Sequence, residues 1–169
     1  MATPLDKRCY DRYMNYRKDL NFGYDFIDND GICVYCGEQA TTEDHIMPLY
    51  VAYMTGDIGI ITKSKVLLPA CQECNALAGT KIFNKFTERK KYIQLRIKQR
   101  NKKLLSTKGW TIDELSQLGN TLRQFIENSI HLQSNVKKRI QWQNRDNPAY
   151  ALIAKLDLKL VKIGKNSVL

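Results

Sequence analysis

Four of the five cysteines fall into two C-x-x-C pairs, Cys33 with Cys36 and Cys71 with Cys74. One such pair places two thiolates on a single tight turn, and two pairs supply the four sulfur ligands of a closed tetrahedral zinc site. Gly37 follows the first pair, where a tight turn favours a residue that tolerates positive φ. Disulfides and a redox centre are the alternatives, which the odd number of cysteines and the two matched pairs disfavour. The spacing therefore predicts structural zinc, which by itself performs no chemistry.

Other polar residues with chemical potential lie between and after these pairs. Asp44 and His45 stand between the pairs, and Asn75 directly follows the second. The unperturbed pKa of histidine, about 6.5, suits the removal of a proton from water at neutral pH. A hydrolytic reaction needs such a deprotonated water as its nucleophile. His45 is therefore a candidate general base or else a packed strand residue, and Asn75 is either a functional side chain or a helix N-cap.

Two short strands and a helix must position these residues. A run rich in β-branched residues over 41–46, followed shortly by a proline, predicts a strand. Residues 65–70 predict a second strand that enters the second cysteine pair, and a helix is predicted to open at Asn75. Adjacent strand residues point to opposite faces, so Asp44 and His45 reach one site only if the strand twists or ends there.

This arrangement resembles the HNH endonucleases, the zinc-stapled branch of the ββα-metal nucleases. The matching elements are C-x-x-C-G at the first pair, Asp44-His45-Ile46-x-Pro48, Leu68-Pro69-Ala70-Cys71-x-x-Cys74-Asn75, and Lys81 a few residues on. Together they span roughly residues 30–85 of the chain. One position departs from the family pattern, because Val66 stands where the family's middle Asn braces the loop that orients the catalytic histidine.

The resemblance implies a role for each matching side chain. It assigns His45 to the general base, and Asp44 and Asn75 to one catalytic Mg²⁺ or Mn²⁺, for which carboxylate and carboxamide oxygens are suitable hard ligands. The ββα-metal element of the family typically fits the minor groove of a duplex. The implied partner is therefore double-stranded DNA, cut to leave 3′-hydroxyl and 5′-phosphate ends. A restriction, phage or mobile-element context follows by analogy alone.

Positive charge is concentrated in one segment of the chain. The formal net charge is +10, and it divides into −4 for residues 1–80, +9 for residues 81–103 and +5 for residues 104–169. A short, strongly basic segment is typical of phosphate binding, and a solvated helix face is the alternative. The predicted DNA contacts are Lys81, Lys85, Arg89, Lys90 and Arg96.

These features predict a mostly helical α+β protein built on a ββα-metal (HNH) core with a structural zinc site. Residues 1–29 are predicted to form a helical segment that packs on the core, residues 30–85 the nuclease core, and residues 86–169 a basic, mainly helical region. Apolar periodicity predicts one long helix over residues 82–105, and a capping box at Thr111–Glu114 predicts the start of another.

The C-terminal region has three open interpretations: it folds back on the core, reads DNA, or forms a homodimer. A charged N-terminus and the lack of a long apolar run predict a cytoplasmic protein with no membrane partner. The leading functional hypothesis is a metal-dependent DNA endonuclease of the HNH type. Its rival is a non-catalytic zinc-containing DNA-binding module with a degenerate HNH site. A zinc-stapled protein-interaction module is a third option, and it would show no salt-dependent DNA binding.

Overall fold

The computed structural model describes residues 25–26, 30–46, 48, 66–83 and 85–143. These residues form a mixed α+β fold dominated by helices, which confirms the predicted fold class at that level. Of the predicted N-terminal helical segment only Asp25–Phe26 can be compared with the prediction, and these two residues form a strand. None of the helices in the described ranges is both long and apolar enough to cross a membrane.

A three-stranded sheet lies at the centre of the fold. Its strands are β1 (Asp25–Phe26), β2 (Thr42–His45) and β3 (Val66–Ala70), in the order β1-β3-β2. Strand β3 is parallel to β1 and antiparallel to β2, and its register places Leu68 opposite Asp44 and Leu67 opposite His45. Both strands predicted around the cysteine pairs are therefore present, and β2 ends at His45.

Helix α1 (Gln72–Ala78) follows β3 with one residue between them. Cys71 is its N-cap, and the Cys71 sulfur accepts a hydrogen bond from the backbone N–H of Cys74 at 3.4 Å. Asn75 is therefore inside the helix, and both its predicted place at the helix start and the N-cap alternative are wrong. Gly79 ends the helix with a φ of 52°, which suits a residue without a side chain.

Two longer helices cover this unit. Helix α2 (Phe86–Arg100) buries Phe86, Ile93 and Ile97, as the apolar stripe predicts. The single helix predicted over residues 82–105 is divided, however, because the chain leaves helical geometry at Asn101 before the short helix α3 (Lys102–Leu105). No glycine or proline marks this break.

Helices α4 (Ile112–Ser116) and α5 (Asn120–Gln141) complete the described fold. The predicted capping box at the start of α4 is confirmed: the Thr111 hydroxyl accepts from the Glu114 N–H at 3.2 Å, and the Glu114 carboxylate accepts from the Thr111 N–H at 2.8 Å. Helix α5 packs against α2 and α3. Of the three interpretations of the C-terminal region, folding back on the core therefore holds for its described part.

The core runs from the first cysteine pair through β3 to the inner faces of α2 and α5. Its fully buried side chains include Val34, Tyr35, Leu68, Ile93 and Ile97. Helix α4 and the part of α5 up to residue 132 behave differently, because several of their large apolar side chains remain exposed. These are Ile112, Leu122, Phe125 and Leu132.

Candidate functional site

The two cysteine pairs meet at one point, where all four sulfur atoms lie within 4.8 Å of one another. Two local turns bring them there. In the first, the Gly37 N–H donates to the Cys33 carbonyl at 3.0 Å, and the Cys33 N–H donates to the Glu38 carbonyl at 2.7 Å. The second is the N-terminus of α1, with Cys71 at the cap and Cys74 in the first turn. The predicted four-cysteine cluster is confirmed, and it can hold a metal ion.

The dimensions of the cluster suit a tetrahedral thiolate site. A metal–sulfur bond of about 2.3 Å in tetrahedral geometry separates neighbouring sulfur atoms by about 3.8 Å. The Cys36 and Cys71 sulfur atoms are 3.7 Å apart. Cys33, Cys36 and Cys74 are buried and Cys71 is partly buried, so water does not compete freely for the site. The residues present therefore fit a structural metal ion.

The thiols also perturb one another in opposite directions. A hydrogen bond with Cys33 lowers the pKa of Cys36 to about 7, and the same bond raises the pKa of Cys33 far above its usual range. Hydrogen bonds from the other cysteines hold the pKa of Cys71 well below normal and that of Cys74 well above. Four adjacent thiolates repel one another, so the cluster ionises only in part unless a cation binds there.

Two basic side chains, Lys90 and Arg139, lie next to this cluster. No pattern in the sequence associates either of them with the cysteines. Burial lowers the pKa of Lys90 to about 8, while the negative charge of Cys33 and Cys36 acts in the opposite direction. Burial also works to lower the pKa of Arg139, but its interactions with Glu73 and Cys36 outweigh burial and leave that pKa above the ordinary value. The cluster therefore has positive charge at its edge.

Asp44 lies in the protein interior on the other side of β2 from His45. Asp44 is only 3% exposed. Its Oδ2 atom accepts hydrogen bonds from the Tyr35 hydroxyl at 2.5 Å and from Arg89 Nε at 3.0 Å. Its Oδ1 atom accepts a hydrogen bond from Arg89 Nη2 at 2.7 Å. Burial, followed by the charge of Asp44, raises the pKa of Tyr35 well above its ordinary value, so the hydroxyl stays a donor. Both carboxylate oxygens are thus fully engaged.

Arg89 is buried in the structure, whereas the sequence predicts that it contacts DNA. Its side chain is 1% exposed, and its guanidinium is held by Asp44 and by the Lys81 carbonyl at 3.4 Å from Nη1. The ring of Phe83 lies 5.6 Å from its central carbon. A guanidinium committed to a buried carboxylate is not available to a phosphate. Arg89 is therefore a structural residue in this conformation.

His45 belongs to strand β2, and Asn75, in α1, is bonded to the same strand. His45 is the last residue of the strand and is partly buried. The Asn75 carboxamide nitrogen donates to the Glu43 carbonyl at 3.2 Å and to the Thr42 hydroxyl at 3.3 Å. Asn75 therefore fastens α1 to the strand two residues before His45. The structure directs the Asp44 carboxylate away from His45, because alternation along the strand turns it inward.

The exposed positive charge is arranged around α2 and α3. Among the predicted DNA contacts, Lys81, Lys85 and Arg96 are exposed, whereas Arg89 is buried and Lys90 is partly buried beside the cysteines. The Lys81 ammonium lies 4.2 Å from the centre of the Tyr92 ring. Sequence reasoning did not single out the other exposed basic residues of this surface, which are Lys91, Lys98, Arg100, Lys102 and Lys103.

The C-terminal end of α5 contacts the turn that holds the first cysteine pair. A Cβ atom added at Gly37 would lie 2.4 Å from the Trp142 ring, so the ring rests directly on the first knuckle turn. The Gln94 carboxamide nitrogen donates both to the Tyr35 carbonyl at 3.2 Å and to the Trp142 carbonyl at 3.1 Å. These contacts join α2, α5 and the first cysteine pair.

Comparison of the chain with family models, with curated proteins and with solved structures gives no significant match in any of the three.

Proposed function

We propose that this chain is an HNH-type endonuclease that hydrolyses phosphodiester bonds of double-stranded DNA, with His45 as general base and zinc bound by the four cysteines. One observation carries the proposal. Strand β3 pairs with β2 and is followed at once by α1, the cysteine cluster includes the N-cap of α1, and His45 ends β2. This order supports the ββα arrangement that the HNH resemblance implies.

The chemistry assigned to His45 is the removal of a proton from the attacking water. A neutral imidazole can accept that proton at neutral pH. The hydrogen bond from Asn75 to the Glu43 carbonyl fixes α1 against the strand that carries His45. In this proposal Asn75 is a positioning residue, since it holds the backbone that orients the base.

The carboxylate that the resemblance assigns to a catalytic divalent ion does not fit that ion as it is arranged. Both Asp44 oxygens accept hydrogen bonds from Arg89 and Tyr35. An ion at Asp44 would have to displace a buried bidentate guanidinium, which is among the stronger protein hydrogen-bond partners of a carboxylate. No step of the proposed reaction is therefore assigned to Asp44.

A second candidate function is a non-catalytic zinc-containing module that binds DNA. The buried contact between Asp44 and Arg89 favours it, because that contact engages the carboxylate that the resemblance assigns to the active site. The replacement of the family's middle Asn by Val66 favours it as well. Both candidates use the exposed basic side chains of α2 and α3 to bind phosphates, so DNA binding alone does not separate them.

A plasmid assay separates the two candidates. Supercoiled DNA is incubated with the protein in Mg²⁺, in Mn²⁺ and in EDTA, beside His45→Ala and the control His131→Ala. His131 lies on the exposed side of α5, where it contacts Asn135. Cleavage that is lost in His45→Ala and kept in His131→Ala supports the endonuclease. Cleavage that survives in His45→Ala contradicts the assignment of the base.

Binding measured by mobility shift over a range of salt concentrations completes the test. A shift without cleavage supports the non-catalytic module. In either case log K should fall with log salt, by about 0.9 for each phosphate contact. A chain that shows neither cleavage nor salt-dependent binding contradicts both candidates and leaves the protein-interaction module.

A further inference from the structure

We propose that Arg139 supplies positive charge to the metal-bound cysteine cluster and that metal binding thereby fixes the C-terminal end of α5 against the first cysteine pair. The proposal requires that the four cysteines bind a divalent ion, and it is independent of any nuclease activity. A divalent ion with four thiolate ligands carries two net negative charges. In a largely buried site that charge needs compensation from nearby groups.

Arg139 has the geometry for this role. It lies in the last turn of α5, its side chain is only 16% exposed, and it lines one surface cavity together with Cys71, Glu73 and Glu38. Its Nη2 atom bonds to the Glu73 carboxylate. Its Nε atom is buried and makes no hydrogen bond to any residue of the described ranges, and Glu38 Oε1 lies 4.0 Å from it.

A second buried N–H donor lies in the same region. The indole nitrogen of Trp142 is also without a hydrogen-bond partner among the residues that the structure describes. A buried donor without an acceptor destabilises the fold. The Trp142 ring rests on Gly37, the residue after Cys36. Both donors thus lie where ionised, metal-bound sulfur would create a negative potential that favours them.

Two further contacts fix this end of α5. The Gln94 side chain of α2 joins the Tyr35 and Trp142 carbonyls, so the first cysteine pair, α2 and α5 meet through one amide. Glu73 joins Arg139 and Arg100 in the same way, with Arg100 Nη1 at 3.3 Å. Because α5 docking and the metal site share these groups, the free energies of the two events are coupled, and the coupling is reciprocal.

The first experiment measures the affinity for Zn²⁺ and Co²⁺ by competition with a chromophoric chelator. Arg139→Gln should weaken the affinity about ten- to a hundred-fold, the size reported for groups that support metal ligands. Arg139→Lys should keep most of the affinity because it keeps the charge. The control Arg123→Gln removes an exposed arginine of the same helix, paired only with Glu127 in the described structure, and should leave the affinity unchanged.

Glu73→Gln distinguishes charge compensation from simple anchoring of the helix. It removes the same ion pair from the carboxylate side and also removes a negative charge beside the cluster. Compensation therefore predicts an unchanged or tighter metal affinity in Glu73→Gln, whereas anchoring predicts weakening in both variants. Equal weakening in Glu73→Gln and Arg139→Gln would overturn the proposal, as would unchanged affinity in Arg139→Gln.

The second experiment follows the docking of α5 itself. Trp142 fluorescence is recorded in the Trp110→Phe protein during removal and readdition of Zn²⁺. Trp142 is partly buried on the first cysteine pair, and its emission should shift to longer wavelength on metal removal and return on readdition. The shift on removal should be smaller in Arg139→Gln, in which the helix end is already less firmly held. Emission that does not respond to the metal would overturn the coupling.

Discussion

The guanidinium of Arg89 holds the carboxylate of Asp44 through both oxygens, with Nη2 at 2.7 Å from Oδ1 and Nε at 3.0 Å from Oδ2, in the protein interior. The residues stand 45 positions apart in the chain, and the pair fastens α2 to strand β2. The Tyr35 hydroxyl completes the set with hydrogen bonds to both partners. Loss of either partner of such a buried pair destabilises the fold, because the other charge is then buried without compensation.

Arg89→Met should therefore lower the free energy of unfolding by about 3–5 kcal/mol, because it leaves the Asp44 charge buried without its partner. Urea denaturation of the metal-loaded protein measures the loss. The double variant Asp44→Leu/Arg89→Met should recover much of it, since no charge is left unpaired. Arg96→Met is the matched control, because Arg96 is exposed on the same helix and should change stability by less than about 0.5 kcal/mol.

Recovery of the unfolding free energy in the double variant would show that Arg89 acts by compensating the Asp44 charge. If Arg89 acted only by packing, the double variant would be as unstable as Arg89→Met. The same double variant is informative in the plasmid assay. Cleavage that persists without an Asp44 carboxylate would remove that residue from the reaction altogether.

Tyr35 gives the fold a dependence on alkaline pH. The pKa of its hydroxyl is raised well above the ordinary tyrosine value of 10.0, first by burial and then by the charge of Asp44. The unfolded chain therefore loses this proton at lower pH than the folded chain does. The stabilisation is complete below about pH 10 and is lost as the pH rises beyond it, by up to about 1.4 kcal/mol per pH unit.

Tyr35→Phe should accordingly be less stable than the parent at pH 8, and the difference should shrink above about pH 10. Denaturation in urea from pH 8 to pH 11 measures both proteins, with Tyr92→Phe as a control for a partly buried tyrosine that lacks the Asp44 contact. A parent–variant difference that stays constant over this range would contradict the role assigned to burial of the Tyr35 hydroxyl.

Gly37→Ala should destabilise the protein by roughly 2–4 kcal/mol. The residue has a φ of 77°, which costs an L-amino acid about 1–2 kcal/mol, and the new methyl would lie 2.4 Å from the Trp142 ring. Thermal unfolding measures the change. Gly119→Ala is the control, because a Cβ there meets no atom within 4 Å and its φ is −62°. Equal effects of the two substitutions would contradict the contact between Trp142 and the knuckle.

Removal of the metal should unfold or strongly destabilise the region around the first cysteine pair. The Cys33–Cys36 turn contributes much of the buried core, and four thiols crowded within 4.8 Å lose their common partner. The melting temperature after treatment with a strong chelator should fall and should recover on addition of Zn²⁺. The Cys74→Ser variant should have a lower melting temperature that Zn²⁺ does not restore. The Cys9→Ser variant, changed outside both pairs, should behave like the parent.

The cysteine cluster was predictable because C-x-x-C spacing encodes a local turn, and two such turns leave few other arrangements. The capping box at Thr111 was predictable for the same reason, since its partners are three residues apart. The inward face of Asp44 follows from alternation along a strand, but its partner does not, because nothing local in the sequence joins residues 44 and 89. The role of Arg139 depends on how α5 packs, and a basic residue near a helix end carries no such signal.

The break at Asn101 was missed on different grounds. Residues 82–105 keep one apolar period, and the side chain of Asn101 bonds to the Ile97 carbonyl one turn back at 2.9 Å. Such a bond between a side chain and the backbone competes with the helical pattern without any glycine or proline to announce it. The consequence is local, because α3 resumes at Lys102 and Leu104 and Leu105 still pack against the core.

The contact between the Trp142 ring and Gly37 affects the order in which parts of the chain can fold during synthesis. A nascent chain can gather its four sulfur atoms and acquire a metal ion soon after Cys74 has left the ribosome. The knuckle turn stays uncovered until residues 139–142 have also emerged, because only then can the indole reach it. A chain truncated within α5 would therefore be a metal-bound but open protein, prone to proteolysis and self-association.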